Sequence, residues 1–115
     1  MVNLIWYPKC STCQKAKKFL TSQRIEPTTR HIVEEKLNEN EIERIYKKSS
    51  LPLKRFFNTS GMKYRELQLK EKLPTMSEAE QLSLLASDGM LVKRPILETE
   101  NKVLVGFKPD EYNSL

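Results

Sequence analysis

The chain has 115 residues, 38% of them hydrophobic and 30% charged, and it carries a net charge of +5 at pH 7. This length supports one domain with a modest core rather than two, and no apolar run is long enough to cross a membrane as a helix. The positive charge forms no long basic stripe interleaved with aromatic residues, which favours small anions or an acidic protein face over nucleic acid as partners.

The start of the chain predicts a βαβ unit. Val2 to Tyr7 is an apolar run that predicts a strand in the centre of a sheet. Residues from about Ser11 to Ser22 have helical spacing, with apolar side chains on one side and lysines on the other. Ile25 to Val33 predicts a second extended segment, and a strand–helix–strand connection of this kind is nearly always right-handed. Because the strand pattern begins so early, there is no room for a signal peptide, and we expect a cytoplasmic protein.

The chain's two cysteines, Cys10 and Cys13, lie between that strand and that helix. If the helix begins directly after Cys10, free backbone N–H groups and the positive end of the helix favour a thiolate there. The nearby cations of Lys9, Lys15 and Lys17 are expected to favour it further. Cys13, one turn later, is close enough to form a disulfide. The spacing therefore predicts a redox site with a nucleophile and a resolving cysteine.

Two other interpretations of the cysteine pair stay open at this point. The pair could supply half of a zinc site, although tetrahedral zinc needs four ligands and His31 is the only histidine, so a partner chain would have to share the metal. Both cysteines could instead be small buried hydrophobes without reactivity. A strand, Cys-x-x-Cys and helix in this order, without a secretory signal, is typical of thioredoxin-like proteins, whose cysteines are catalytic or redox-sensing.

The middle of the chain is mainly helical in pattern. Asn38 and Glu41 have the spacing of a capping box, and the helix that they open should end near Ser49-Ser50. Leu53 to Phe57 predicts a short helical turn that carries two aromatic side chains into the core. Lys63 to Lys72 predicts only short helical pieces.

The last part of the chain predicts a helix, a hairpin and a final helix. A second capping box, Ser77 with Glu80, opens the helix, and Gly89 is expected to end it. Two strands follow, joined by a turn at Thr99 to Asn101. Pro109 opens the final short helix. The predicted order is thus a βαβ unit, a helical insert and a ββα unit.

Three motifs occur in an order that is found in one known family. They are Cys10-Ser11-Thr12-Cys13 after the first strand, Asn58-Thr59-Ser60-Gly61 with Tyr64-Arg65-Glu66-Leu67, and Lys93-Arg94-Pro95-Ile96 ahead of the hairpin. Together they resemble the ArsC/Spx family, the thioredoxin-fold proteins grouped around glutaredoxin-coupled arsenate reductases and the RNA-polymerase-binding regulator Spx. The resemblance covers nearly the whole chain and is closest to the short reductase-like members.

The resemblance implies an α/β fold that is thioredoxin-like and glutaredoxin-like. It implies a mixed sheet of about four strands, with the helical insert between the βαβ unit and the C-terminal ββα unit. On this basis we expect residues 1–115 to form a single domain of this type, with the insert at approximately 38–88.

The resemblance also implies roles for individual residues. Cys10 falls on the family's nucleophilic cysteine, Arg94 on an oxyanion-binding arginine and Pro95 on the cis-proline of thioredoxin-like proteins. An arginine before a fixed proline offers a planar fork of donors to an oxyanion or a thiolate. Ser11 and Thr12 are expected to support the site, with Thr12 as a candidate hydrogen-bond donor to the Cys10 sulfur.

The chain departs from the arsenate reductases of this type in ways that bear on activity. Those enzymes place further arginines near the positions of Asn58 and Lys108-Pro109, where this chain has none, and lysine does not replace a bidentate arginine. They also lack a cysteine at the position of Cys13 and depend on glutathione and glutaredoxin. We therefore expect an arsenate reductase-like thiol–disulfide oxidoreductase for which arsenate reduction itself is not favoured, with Cys13 as the resolving cysteine and without a metal or organic cofactor.

The expected partner is a thiol reductant, either glutathione, glutaredoxin or thioredoxin, acting on a monomer. The alternative function is an Spx-like redox-sensing transcriptional regulator that binds the RNA polymerase alpha subunit. Spx has the same Cys-x-x-Cys motif, and it has Arg-Arg-Pro where this chain has Lys93-Arg94-Pro95. Neither interpretation requires direct contact with nucleic acid or a membrane.

Overall fold

The structure is a computed structural model that describes residues 1–115. A four-stranded mixed sheet with the order β2-β1-β3-β4 forms its centre. The strands are β1 Val2–Trp6, β2 Thr28–His31, β3 Ile96–Thr99 and β4 Val103–Val105. The helices are α1 Ser11–Ser22, α2 Glu39–Ser49, α3 Met62–Glu66, α4 Leu69–Lys72, α5 Glu78–Ser87 and α6 Pro109–Tyr112. The predicted α/β architecture with a helical insert between two sheet-forming units is confirmed.

Strand β1 lies inside the sheet, as its apolar sequence predicts. It pairs in parallel with β2, where Asn3 is opposite Thr28, and antiparallel with β3, where Leu4 is opposite Leu97. Strands β3 and β4 form the predicted antiparallel hairpin. Leu4 and Leu97 are fully buried, which agrees with a position between two neighbouring strands.

Strand β2 is shorter than the extended segment predicted for 25–33. It begins only after Pro27, which has no N–H to give to a sheet ladder. It ends at His31, whose Nδ1 accepts hydrogen bonds from the N–H groups of Val33 and Glu34 at 3.2 and 3.0 Å. This local turn competes with continued pairing to β1, and the extended pattern of the sequence does not reveal it.

Both predicted capping boxes are present. Asn38 accepts a hydrogen bond from the Glu41 N–H at 2.8 Å, while the Glu41 side chain accepts one from the Asn38 N–H at 3.0 Å. Ser77 and Glu80 make the same reciprocal pair at the start of α5. These caps satisfy backbone donors that a helix start would otherwise leave free.

Helix α5 ends just before Gly89, as expected, but this glycine does not adopt the positive φ that is typical of a glycine after a helix end. Helix α5 is capped instead by Asp88, which is in an extended conformation with φ −155°. Gly89 is needed because a Cβ at this position would lie 2.1 Å from the carbonyl oxygen of Ile32. The glycine allows a close approach between the end of the insert and the segment that follows β2.

The sheet separates two apolar clusters of unequal size. On one face, 18 buried residues pack together, mainly from the helical insert with Ile5, Ile96, Val103 and Val105 of the sheet. On the other face, α1 and α6 cover a smaller cluster made by Leu4, Ala16, Leu20, Leu97 and Tyr112. The two cysteines therefore belong to the helix that covers the smaller cluster.

An ion cluster attaches the insert to the sheet. Glu98 of β3 is only 3% exposed, and its carboxylate accepts hydrogen bonds from Arg44 and from Lys48, the latter at 2.9 Å. Both cations come from α2, so they join the first helix of the insert to the third strand. None of the helices combines the length and the apolarity needed to cross a bilayer.

Candidate functional site

Cys10 lies at the junction of β1 and α1. It is the N-cap residue of α1, with φ −86° and ψ 121°, and it is partly exposed. Its N–H donates to the Tyr7 carbonyl at 2.9 Å, and its own carbonyl accepts from the Gln14 N–H at 3.1 Å. The helix thus begins at Ser11, as predicted, and the Cys10 side chain lies beside its free N–H groups.

The pKa of the Cys10 thiol lies below its ordinary value. The largest single influence is partial burial, which acts in the opposite direction and raises the pKa by desolvating the thiolate. Hydrogen bonds from the Cys13 N–H and thiol, the charge of Arg94 and the Thr12 N–H together outweigh it. The Cys10 sulfur is therefore ionised over a wider pH range than that of a free cysteine.

The lysines predicted to stabilise the thiolate are not its main support. Lys9, Lys15 and Lys17 are not among the main influences on the pKa of Cys10. Lys17 instead holds its ammonium 4.8 Å from the centroid of the Trp6 ring. Exposed charges are screened by water and salt, whereas a partly buried cation is screened less. Of the cations named from the sequence, Arg94 rather than the lysines is thus the one that supports the thiolate.

Cys13 lies one helical turn later and is fully buried. Its sulfur accepts a hydrogen bond from the Tyr7 N–H at 3.5 Å. Burial is the main cause that raises the pKa of the Cys13 thiol well above its usual range, and the neighbouring Cys10 raises it further. Both cysteines are free thiols in this structure. One partly exposed thiol of lowered pKa thus lies beside one buried thiol of raised pKa.

Arg94 approaches the cysteines from the other end of the chain. Its Nε and Nη1 atoms are buried and have no hydrogen-bond partner. Its guanidinium lies over the Tyr7 ring, 5.1 Å from the centroid, and its charge lowers the pKa of both cysteines. The Arg94–Pro95 peptide bond is cis, as the family resemblance implies, and Pro95 is fully buried. Unpaired buried guanidinium donors of this kind are available to an anion.

Tyr7 is the residue of the site that the sequence analysis missed. Its ring contacts the guanidinium of Arg94 on one side and meets the His31 ring edge-on, with centroids 5.6 Å apart. Its backbone N–H reaches Cys13, and its carbonyl holds the N–H of Cys10. Its position in the sequence was a usable signal. Tyr7 directly follows a central strand and precedes Cys10, and binding sites of α/β proteins lie at the carboxyl ends of such strands.

Ser11 and Thr12 lie between the cysteines, and their side chains are exposed. Thr12 helps to stabilise the Cys10 thiolate through its backbone N–H rather than through its hydroxyl, which was the candidate donor. Ser11 is the first residue of the helix. No group of three or more histidine, cysteine, aspartate or glutamate side chains is close enough to hold a metal ion, so one chain does not supply the ligands that the zinc alternative needs.

Comparisons with known proteins agree with this arrangement. A family model described as the ArsC family matches residues 5–115. Protein YusI of Bacillus subtilis (strain 168), which is uncharacterized, is 60% identical over 107 residues, covering 93% of this chain and 91% of its own. The global transcriptional regulator Spx of Staphylococcus saprophyticus is 31% identical over 112 residues, covering 96% of this chain and 83% of its own.

Two crystal structures are similar over nearly their full length. A protein from Bacteroides fragilis is 53% identical with a TM-score of 0.95, covering 98% of this chain and 95% of its own. A protein from Streptococcus mutans UA159, described as a possible arsenate reductase, is 40% identical with a TM-score of 0.88, covering 98% of each chain. The sequence comparisons and the structural comparisons therefore identify the same family, the ArsC family.

Proposed function

The chain belongs to the ArsC family, and on that premise we propose that it is a cytoplasmic thiol–disulfide redox protein. In this proposal Cys10 is the nucleophile and Cys13 is the resolving cysteine. The observation that carries it is the contrast between the two thiols: Cys10 is partly exposed with a lowered pKa, whereas Cys13 is buried beside it with a raised pKa. A nucleophile must be accessible and ionised, while a resolving thiol is needed only after the first step.

The reaction would proceed in two exchange steps. The Cys10 thiolate attacks one sulfur of a substrate disulfide, forms a mixed disulfide and releases the other substrate sulfur as a thiolate. Cys13 then loses its proton and attacks the Cys10 sulfur, which breaks the mixed disulfide and releases the second substrate thiolate. The substrate disulfide is reduced to two thiols, and the cysteine pair is oxidised to one disulfide. An external thiol reductant, such as glutathione, glutaredoxin or thioredoxin, would reverse this oxidation.

The high pKa of Cys13 suits this order of events. Besides burial, its pKa is raised by the neighbouring Cys10 through charge and hydrogen bonding. When Cys10 is in a mixed disulfide it carries no charge, so this contribution disappears and Cys13 loses its proton more easily. Arg94 lowers the pKa of both sulfurs and would favour each thiolate in turn. The second thiol would therefore become reactive once the first has reacted.

Arsenate reduction receives less support than disulfide chemistry. Arg94 offers unpaired donors to an oxyanion. Asn58, however, is not an arginine, and the exposed Lys108 cannot supply the two parallel hydrogen bonds of a guanidinium. We therefore assign the site to sulfur substrates.

The activated thiolate can be tested by alkylation. The rate of Cys10 modification by iodoacetamide, measured against pH, should have its midpoint below the ordinary cysteine pKa of about 8.5. Cys10→Ser should abolish the fast phase and all turnover with thioredoxin or glutathione as reductant. A titration midpoint at the ordinary value would reject the proposal.

The resolving role can be tested with two variants of Cys13. Both Cys13→Ala and Cys13→Ser should accumulate a stable mixed disulfide between Cys10 and the substrate, detectable by mass spectrometry. Only Cys13→Ser keeps a hydroxyl that can donate to the Cys10 sulfur, so its Cys10 pKa should remain closer to that of the wild type. Release of both substrate thiols by either variant would show that Cys13 does not resolve the intermediate.

The likeness to Spx favours a second candidate, a redox-sensing transcriptional regulator that binds the RNA polymerase alpha subunit. In that case the same cysteine chemistry would change the affinity for a protein rather than turn over a substrate. Pull-down of the alpha subunit with the reduced and oxidised chain tests this candidate. Redox-dependent capture without turnover would favour the regulator, and turnover without capture the enzyme.

A further inference from the structure

The net positive charge of the chain comes from its first 25 residues. Five of the 20 lysines and arginines lie there, at positions 9, 15, 17, 18 and 24, and this segment contains no aspartate or glutamate. The remaining 15 cations are matched by the 15 acids, which all follow position 25. The segment from β1 through α1 is thus strongly basic, while the rest of the molecule is neutral.

None of these five cations is neutralised within the chain. The ion pairs of the structure use the N-terminal amine or cations between residues 30 and 63. Lys9, Lys15, Lys18 and Arg24 are exposed, and Lys17 contacts only the face of Trp6 among charged or aromatic groups. The positive charge on and around α1 therefore remains available to an external partner.

A groove passes through this basic surface. It has a volume of about 320 Å³ and is lined by Trp6, Gln14, Lys17, Lys18 and Thr21, and we call it the Trp6 groove. Its four helical residues follow the i, i+3, i+4, i+7 pattern from Gln14, so they share one face of α1. The Trp6 ring, packed against the small apolar cluster, contributes an apolar surface, and the two lysines contribute charge.

The Trp6 groove is connected directly to the cysteine loop. The Gln14 N–H donates to the Cys10 carbonyl at 3.1 Å, and the Gln14 side-chain amide donates to the Pro8 carbonyl at 2.7 Å. Gln14 thus belongs both to the groove and to the turn that holds Cys10. A chain lying in the groove would pass one helical turn from the nucleophilic sulfur.

We propose that the Trp6 groove docks an acidic polypeptide segment of the protein whose sulfur reacts with Cys10. The inference rests on the proposed thiol–disulfide function and adds the nature of the partner to it. The carboxylates of the segment pair with Lys17 and Lys18, and its apolar side chains contact Trp6. A single-stranded nucleic acid fits less well, because the groove offers one partly buried aromatic ring, already covered by Lys17, rather than a row of open stacking faces.

The rate of disulfide exchange with charged peptides tests this docking. Two short peptides carry one cysteine activated as a pyridyl disulfide; one is rich in glutamate, and in the other glutamine replaces each glutamate. At low salt Cys10 should react about tenfold faster with the acidic peptide, because complementary charge raises the rate of encounter. The difference should disappear at high salt and in the double variant Lys17→Gln/Lys18→Gln.

The matched control is the double variant Lys70→Gln/Lys72→Gln. It removes the same amount of charge from exposed positions of α4 in the helical insert. This control should keep the preference for the acidic peptide. Equal rates with the two peptides, or an equal loss in both double variants, would overturn the proposal, since the effect would then be absent or one of net charge alone.

Binding can also be measured without any sulfur chemistry. Trp6 is the only tryptophan of the chain, so its fluorescence reports on the groove. A glutamate-rich peptide without cysteine should change that fluorescence in the wild type and in Cys10→Ser, but not in the Lys17→Gln/Lys18→Gln variant. No change, or saturation at a lower concentration of single-stranded DNA than of the peptide, would overturn the docking proposal. A Cys10 that reacts with neither peptide disulfide, with peptide binding intact, would instead reject the thiol–disulfide function.

Discussion

Arg94 keeps two buried donors without partners, and such donors normally cost stability. Each unsatisfied buried donor costs about 1–3 kcal/mol, whereas a contact with an aromatic ring such as Tyr7 returns only about 0.5–2 kcal/mol. The arrangement is therefore better explained by the anion that it can receive than by the stability of the fold. Cys10 in its thiolate form, or a substrate anion beside it, would supply the missing negative charge.

Replacing Arg94 should separate reactivity from stability. In Arg94→Met the pKa of Cys10 should rise toward its ordinary value, because the nearby cation is lost. The free energy of unfolding should stay the same or increase by about 1 kcal/mol, since the unpaired donors are removed. Alkylation rate against pH and urea denaturation measure the two effects.

The variant Arg94→Lys is the control, because it keeps the charge and loses the planar donor fork. In Arg94→Lys the pKa of Cys10 should stay close to that of the wild type. A Cys10 pKa in Arg94→Met equal to that of the wild type would show that the helix N–H groups alone support the thiolate.

The residues of the site differ in how visible they are in the sequence. Cys10 and Cys13 could be found because spacing along one helix determines their proximity. The role of Arg94 depended on family resemblance, since no local pattern links it to a loop so distant in the chain. Tyr7 was missed because its contacts arise from the meeting of three separate segments. The effect of Lys9, Lys15 and Lys17 was overestimated, because proximity in sequence does not determine whether a cation is buried.

At the scale of elements, the contact between α2 and β3 depends on Glu98. Hydrogen bonding to Arg44, followed by the contact with Lys48, keeps the pKa of this carboxyl below its usual value despite burial. In Glu98→Gln the two cations keep an amide oxygen but lose the charged partner, and because both remain accessible to water the unfolding free energy at neutral pH should fall by only about 1–2 kcal/mol. Urea denaturation measures it, and Glu43→Gln, which removes only an exposed pair with Lys47, should leave the midpoint unchanged.

The same carboxyl predicts how stability depends on pH. Because the folded pKa of Glu98 is lowered, its stabilisation is fully present above the unfolded value of about 4.3 and is lost as pH falls through the folded value. Wild type should therefore lose stability in acid more steeply than Glu98→Gln. Parallel pH profiles of the two proteins would contradict this assignment.

The contact between the end of the insert and the segment after β2 depends on Gly89. In Gly89→Ala the new Cβ meets backbone at Ile32, which cannot rotate away, and unfolding free energy should fall by about 2 kcal/mol or more. Gly61→Ala is a suitable comparison, because its nearest neighbour, at 2.8 Å, is the side-chain amide of Asn58, which can rotate away. Similar thermal midpoints for the two variants would show that the backbone at Gly89 and Ile32 can move apart at little cost.

The elements themselves were largely predictable because their signals are local. Capping boxes at Asn38 and Ser77 marked helix starts, and both are present. The length of β2 was overestimated because the His31 turn depends on a side-chain contact rather than on β-propensity. The function of Gly89 was misassigned because a close approach between distant segments leaves no local signal.

At the scale of the whole molecule, the lowered pKa of Cys10 links redox state to stability. A group whose folded pKa is lowered stabilises the fold above its unfolded pKa, about 8.5 for cysteine, and loses that contribution as pH falls through the folded value. The oxidised chain has no thiol to titrate. As pH increases from the folded pKa of Cys10 to about 8.5, the unfolding free energy of the reduced form should therefore rise relative to that of the oxidised form.

Denaturation of both forms across this pH range measures the effect. The raised pKa of Cys13 has the opposite sign, but its stabilisation is lost only as pH rises beyond the unfolded value. A difference between reduced and oxidised forms that does not change with pH would mean that folding does not stabilise the thiolate.

The overall architecture was predictable because strand and helix order leaves few topologies for a chain with one βαβ unit and one late hairpin. Which cation lies beside the cysteines was not predictable from local patterns, because this depends on how the elements pack. The family likeness supplied part of that information through Pro95 and its neighbour Arg94.

The sheet that divides the two apolar clusters also separates two evolutionary tasks. Substitutions among the 18 residues of the larger cluster can change thermal tolerance or the outline of the insert without repacking the few residues beneath the cysteine helix. Tyr7 is the exception, because its ring packs against the larger cluster while its other contacts are with Arg94 and the two cysteines. A change in the larger cluster next to Tyr7 is therefore the one that sulfur chemistry would feel.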